Sequence, residues 1–135
     1  MDIRKQVKEV LDAFPDVDYH HSLIDDLTDM LNNTGISGAF VGKFLTNLIN
    51  LSNYKNQTHI KLPANFEKLK QEENLFSMHI KVKNCNARIL YSFLSDGTVL
   101  LYGFFERSGK KKTDYTNAKR IAKIRKSELI KEETL

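Results

Sequence analysis

The sequence has little of what several protein classes require. Cys85 is the only cysteine among 135 residues, so neither an internal disulfide nor a cysteine-rich zinc site can form. No apolar run approaches the roughly 20 residues that a membrane-spanning helix needs. The first ten residues, MDIRKQVKEV, lack the apolar core of a secretion signal. These absences predict a soluble, cytoplasmic protein without a membrane partner.

What the sequence does contain is an uneven distribution of charge. Residues 1–53 carry 4 Lys and Arg against 8 Asp and Glu, a balance of −4, whereas residues 54–135 carry 17 against 9, a balance of +8. Between His79 and Lys126 the count is 12 to 3, or +9. Charge concentrated in this way is typical of a protein with a phosphate-bearing partner. A basic surface that only keeps the protein soluble remains the alternative.

The hydrophobic pattern predicts an α+β fold in one domain, residues 1–135. Apolar residues at helical spacing predict helices over 3–13, over HSLIDDLTDMLNN and over 40–51, followed by a terminal helix over 114–133. Alternating patterns predict strands at 58–62, 76–83, 87–95 and 98–106, and ANFEKLKQEE is expected to form a short helix or a turn. The prediction is therefore N-terminal helices, a small antiparallel sheet of three to four strands, and a C-terminal helix.

One predicted strand carries an unusual set of side chains. In FSMHIKVKNCNARILYSF, alternate positions put Met78, Ile80 and Val82 on one face and His79, Lys81 and Lys83 on the other. A four-residue loop over 84–87 would add Arg88 to the same face, opposite Lys83, and a three-residue loop would send Arg88 to the other face. Neighbouring like charges on a strand repel each other, so this pattern favours an anionic partner.

Two other segments resemble functional motifs only superficially. GISGAFVGKF contains a Gly-Lys pair, but its spacing and the Phe after Lys43 do not fit a phosphate-binding loop. His20 and His21 are flanked by aspartates, yet adjacent histidines at a helix start are usually solvated, and the acids suit the positive end of the helix dipole. We therefore expect no metal and no cofactor.

The segments HIKVKNCNARILY and LLYGFFERSGKKKTDYTNAKRI resemble the core of the RelE/HigB superfamily of toxins from bacterial and phage toxin–antitoxin pairs. Arg88-Ile89-Leu90-Tyr91 resembles the Arg-x-x-Tyr strand of that superfamily, and Tyr115 resembles the tyrosine that precedes its basic helix. The resemblance covers residues 57–126. It leaves 20–56 as a helical part matching only in the order of helices, and 1–19 as an N-terminal extension.

The resemblance implies a metal-independent RNA endonuclease that cleaves messenger RNA, usually on the ribosome, and that a helix-turn-helix type of antitoxin neutralises. Activation of the RNA 2′-hydroxyl requires a base, and crowding among cations lowers a lysine's pKa. By position in the superfamily pattern, the resemblance implies that Lys81 is this base, with His79 beside it. Arg88 and Arg107 would hold the phosphate, and Tyr115 would stack on a base or protonate the leaving oxygen. The side chains expected to contact the RNA backbone are Lys83, Lys110, Lys111 and Lys112.

Several residues depart from the superfamily pattern and keep other functions open. Ala87 stands where relatives have an aromatic residue, and Glu106 is positioned to neutralise Arg107. One alternative is a gyrase poison of the related ParE branch, although that branch typically lacks the basic set. The other is a non-catalytic nucleic-acid-binding or phage accessory protein whose aromatic side chains stack on bases, namely Tyr91, Phe93, Tyr102 and Phe104. Core packing is the competing explanation for most of those aromatics.

Overall fold

The computed structural model describes residues 2–32, 37–83, 85–94, 97–106 and 115–134. The helices are α1 (Ile3–Asp12), α2 (Leu23–Asn32), α3 (Ser37–Tyr54), α4 (Thr58–Lys61) and α5 (Thr116–Thr134), with a 3₁₀ turn at Lys55–Gln57. The strands are β1 (Val17–Tyr19), β2 (Phe66–Lys68), β3 (Phe76–Val82), β4 (Cys85–Leu94) and β5 (Gly97–Phe105). The predicted α+β fold is confirmed.

The sheet differs from the prediction in size and in one strand direction. Within the described residues it has five strands in the order β1-β5-β4-β3-β2, and β1 runs parallel to β5 while the other pairs are antiparallel. The two additional strands are the edge strands β1 and β2, with three residues each. Segments this short carry too little alternation to be recognised from sequence, which is why ANFEKLKQEE was expected to be a helix or turn.

The segment THIKL forms α4 and not the predicted strand. Thr58 is fully buried, whereas Ile60 is 60% exposed, so the apolar residue that suggested a strand points to solvent. The backbone N–H of Leu62 bonds to the carbonyl of Thr58 at 2.8 Å, and Pro63 follows. A five-residue apolar pattern does not distinguish a helical turn from a strand, and packing of Thr58 against the sheet decides it.

The sheet has one buried face under the N-terminal helices and a second face partly covered by α5. Helices α1, α2 and α3 contribute Val7, Leu11, Leu27, Phe44 and other apolar side chains to a core against β3, β4 and β5. Residues 1–19, which we predicted to be an extension, supply part of this core through α1 and β1. Among the described residues, no helix is both long enough and apolar enough to cross a bilayer.

A smaller apolar cluster lies on the second face, where α5 packs Ala118 and Ala122 against Leu90 and Leu101. Arg125 fixes this helix to the rest of the fold. Its guanidinium bonds to both carboxylate oxygens of Asp26, at 2.5 and 3.2 Å. Because α5 covers only part of this face, the part near the β3–β4 turn is left for polar side chains.

Gly97 opens β5 and has a backbone conformation that other residues rarely adopt. Its φ is +134°, and a Cβ atom at this position would lie 3.0 Å from the carbonyl oxygen of Asp16. Glycine is therefore required twice, for the torsion angle and for the close approach of the chain leading into β1.

Candidate active site

The β3–β4 hairpin sets the geometry of the candidate site. Val82 pairs with Cys85, so two residues, 83 and 84, separate the paired positions, and neither the four-residue nor the three-residue loop is correct. His79 pairs with Arg88 and Lys81 with Asn86. The partner of Arg88 has moved by four positions relative to the four-residue hypothesis. An even shift preserves the face, so His79, Lys81 and Arg88 still share one side of the sheet.

Strand β5 brings a carboxylate to the same face. The backbone N–H of Glu106 donates to the carbonyl of Asn86 at 2.8 Å, which places Glu106 beside Asn86 just beyond the end of β5. The side chains of Lys81, Asn86 and Glu106 therefore form one row across the sheet. His79, Arg88 and Phe104 form the next row. We call the set His79, Lys81, Asn86, Arg88 and Glu106 the polar cluster.

Arg88 has a carboxylate on either side, from Glu106 and Glu67. Its Nε atom donates to Glu106 Oε1, and its NH1 atom lies 3.6 Å from Glu67 Oε1 on the edge strand β2. The side chain of Arg88 is 18% exposed and that of Glu106 is 13% exposed, so this pair is largely withdrawn from water. At Arg88, the negative charge next to the cation therefore comes from two glutamates of the same chain.

Asn86 links the ion pair to the histidine. Its Nδ2 atom donates to Glu106 Oε2 at 2.8 Å, and its Oδ1 atom bonds to His79 Nε2. Each oxygen of the Glu106 carboxylate thus has its own donor, Arg88 at Oε1 and Asn86 at Oε2. The result is a continuous chain of hydrogen bonds from the guanidinium to the imidazole.

Tyr115 directly precedes α5, and its side chain contacts Glu67, the second glutamate near Arg88. Its hydroxyl donates to Glu67 and lies 3.3 Å from Ser77 Oγ. Burial, and then the bond to Glu67, raise the pKa of the Tyr115 phenol to about 12. The phenol is therefore protonated at neutral pH. Its ring meets that of Phe104 edge-on, with centroids 6.2 Å apart.

The structure brings together four of the predicted site residues, His79, Lys81, Arg88 and Tyr115. Lys81 is exposed and, within the described ranges, has no ion-pair partner. Lys83 is exposed in the hairpin turn. The remaining predicted residues, Arg107, Lys110, Lys111 and Lys112, lie outside the described residues.

Three residues of this region were not predicted as site residues, namely Glu67, Asn86 and Glu106. The structure pairs Glu106 with Arg88. The predicted contact of Glu106 with Arg107 lies outside the described residues. The position of Glu106 in the row of Lys81 and Asn86 would have indicated its role. That row depends on a strand register that the sequence does not give. Glu67 belongs to a strand that was not predicted at all.

The aromatic side chains proposed as base-stacking groups are mainly packing residues. Tyr91 is fully buried, and its hydroxyl lies 3.1 Å from Thr58 Oγ1. Phe93 packs edge-on against Tyr91 on the sheet face that the N-terminal helices cover. Tyr102 and Phe104 stack on each other on the opposite face, under α5. Core packing is thus the role that the structure gives Tyr91.

The His20–His21 pair gains a third potential ligand, because the three side chains of His20, His21 and Glu128 offer atoms within 4.8 Å of one another. The hydrogen bonds favour a different role for His20. Its Nδ1 atom accepts the backbone N–H of Ser22 at 3.1 Å, so in the neutral ring Nε2 carries the proton. Nε2 lies 3.6 Å from Glu128 Oε1 on α5, and a protonated Nε2 has no lone pair for a metal ion.

Comparison of the chain with protein families, with curated proteins and with solved structures found no match in any of the three. The RelE/HigB resemblance therefore stays a prediction from the quoted residues.

Proposed function

We propose that this protein is a metal-independent RNA endonuclease, acting as the toxin of a toxin–antitoxin pair, with its active site at the polar cluster. The observation that supports this most is the hydrogen-bonded chain of His79, Asn86, Glu106 and Arg88 on one sheet face, with Lys81 exposed beside it. This set combines a group that exchanges protons, a planar cation that fits a phosphate, and a second, exposed cation.

These groups match what RNA cleavage requires. The RNA 2′-oxygen attacks the adjacent phosphorus and loses its proton to a base, while the P–O5′ bond breaks and the leaving 5′-oxygen gains a proton. The products are a 2′,3′-cyclic phosphate and a 5′-hydroxyl. Stabilisation of the phosphorane by positioned cations is the main electrostatic contribution an enzyme makes to such a step.

The structure supports a revised division of roles. His79 is better placed than Lys81 to exchange a proton, because it is held by a hydrogen bond while Lys81 extends into solvent. Lys81 then contributes charge to the phosphorane. Arg88 uses Nε and NH1 for its two glutamates, and a guanidinium has five N–H donors, so further N–H groups can bind a phosphate oxygen. Tyr115, neutral at pH 7, donates its hydroxyl proton to Glu67 and so orients that carboxylate beside Arg88 at the edge of the site.

The test is cleavage of a defined RNA by the purified protein, alone and with programmed ribosomes. A matched RNA with a 2′-deoxy nucleotide at the cleaved position should resist cleavage, because the nucleophile is absent. Lys81→Ala and His79→Gln should each lower the rate by about 100-fold, as expected for loss of one charge-stabilising or proton-exchanging group. Lys43→Ala, which removes an exposed lysine from α3, is the matched control and should cleave at the wild-type rate.

Expression in cells completes the test. Growth arrest with new messenger RNA 5′ ends, both lost in His79→Gln and retained in Lys43→Ala, is the expected result. Growth arrest without cleavage would refute the nuclease and favour a gyrase poison. Absence of both arrest and cleavage, with folded protein, would favour a nucleic-acid-binding protein instead.

A further inference from the structure

The hydrogen bonds of the polar cluster determine where the protons of its neutral members lie. An ionised carboxylate only accepts hydrogen bonds, whereas an asparagine amide has one donating end and one accepting end. Glu106 receives Arg88 Nε at Oε1 and Asn86 at Oε2, at 2.8 Å for the second. The NH₂ group of Asn86 must therefore face Glu106.

That orientation fixes the histidine. With its NH₂ group on Glu106, Asn86 presents its carbonyl oxygen to His79 Nε2. A carbonyl oxygen cannot donate, so Nε2 must carry a hydrogen. In the neutral imidazole, Nδ1 then has the lone pair.

The backbone keeps the three side chains in register. Lys81 pairs with Asn86 across the hairpin, and the Glu106 N–H bonds to the Asn86 carbonyl at 2.8 Å. The main chain of β3 is also held from the opposite face, where Asn47 Nδ2 of α3 donates to the His79 carbonyl at 3.1 Å. The amide of Asn86 thus sits between two anchored strands, where it cannot satisfy both neighbours in the reverse orientation.

We propose that Asn86 is a positioning residue that holds His79 in the Nε2–H form and so makes Nδ1 the atom that takes the 2′-hydroxyl proton of the RNA. This inference rests on the proposed function. Glu106 acts through Asn86 and Arg88 as an orienting group. Each of its oxygens accepts a hydrogen bond from one of these two side chains.

The first measurement is independent of activity. A one-bond ¹H–¹⁵N spectrum of the imidazole region, recorded on ¹⁵N-labelled full-length protein, should show an Nε2–H proton of His79 that exchanges slowly with water. The signal is assigned by its loss in His79→Gln. It should broaden or disappear in Asn86→Ala, and it should be unchanged in Asn53→Ala, which removes an exposed amide from α3.

The second measurement is the kinetics of RNA cleavage. Asn86→Ala should lower kcat by about 10- to 100-fold with little change in KM, as is typical when the partner that orients a working group is lost. Asn86→Asp should not restore kcat, because aspartate can accept from His79 but cannot donate to Glu106. Asn53→Ala should retain the wild-type kcat.

The outcomes separate the two proposals. A His79 proton on Nδ1, or an Nε2–H signal unaffected by Asn86→Ala, would overturn the positioning role even if the protein cleaves RNA. Wild-type kcat in folded Asn86→Ala would overturn it as well. Absence of cleavage by the wild type, with the Nε2–H signal present and dependent on Asn86, would instead refute the nuclease while leaving the hydrogen-bond assignment in place.

Discussion

The buried hydrogen bond between Thr58 and Tyr91 allows a quantitative test of how α4 is attached to the sheet. Both residues are fully buried, and their side-chain oxygens lie 3.1 Å apart. Thr58 Oγ1 also donates to the carbonyl of Lys55 at 3.1 Å. A hydroxyl has a single proton, and Thr58 donates its proton to the Lys55 carbonyl. Tyr91 must therefore be the donor of the hydrogen bond between Tyr91 and Thr58. Burial also raises the pKa of the Tyr91 phenol well above its ordinary value, so this donor keeps its proton.

The two single substitutions should then have unequal effects. Tyr91→Phe removes one donor and leaves Thr58 bonded to Lys55, which should lower the free energy of unfolding by about 1 kcal/mol. Thr58→Val keeps the shape but leaves the Tyr91 O–H without an acceptor in the interior, at a cost of about 2 kcal/mol. The Lys55 carbonyl keeps its bond from the backbone N–H of residue 58. The double variant has no Tyr91 O–H to leave unpaired, so its free energy of unfolding should fall by about 2 kcal/mol. The two single losses sum to about 3 kcal/mol, so the coupling energy is about 1 kcal/mol.

Urea denaturation followed by circular dichroism measures these differences, since the chain has no tryptophan to report by fluorescence. Thr46→Val is the matched control, because its hydroxyl donates to the Gly42 carbonyl at 3.1 Å on an exposed part of α3. We expect a change within about 0.5 kcal/mol there. Losses at positions 58 and 91 that add to within about 0.5 kcal/mol would refute the shared hydrogen bond.

Three further predictions concern other parts of the fold. Tyr115 has a pKa of about 12 in the folded state against 10 for the free side chain, so its contribution to stability is complete below pH 10 and is lost as pH rises toward 12. Denaturation midpoints should fall less over that range in Tyr115→Phe than in wild type, and equal falls would contradict the shift. Gly97→Ala should lose about 2 kcal/mol in urea titrations because of its positive φ and the Asp16 carbonyl, and an unchanged midpoint would contradict that strain. Arg125→Met should lower the free energy of unfolding by about 3 kcal/mol, because it leaves Asp26 largely buried without its cation. The double variant Arg125→Met/Asp26→Leu should recover part of that loss in the same urea titration. A double variant no more stable than Arg125→Met would contradict this explanation.

The candidate site shows how far sequence reasoning reaches. Alternation along 76–83 correctly assigned His79 and Lys81 to one face, because successive side chains of any strand point to opposite sides. It also suggested that like charges needed an external anion. That inference depended on counting only neighbours in sequence, and Glu67 and Glu106 are 21 and 18 residues away from Arg88.

The sequence by itself determined the elements whose signal is local. Helices α1, α2, α3 and α5 and the strands β3, β4 and β5 follow from periodicities of 3.6 and 2, since burial of one face selects the same pattern wherever the element lies. Tertiary structure alone decided the two-residue turn, the parallel pairing of β1, the helical state of Thr58 and the pairing of Arg88 with Glu106. For each of these features, the alternative conformations have nearly equal local free energy. They differ only in the contacts between segments that are distant in sequence. Their outcome therefore depends on register and packing, which no short stretch of sequence encodes.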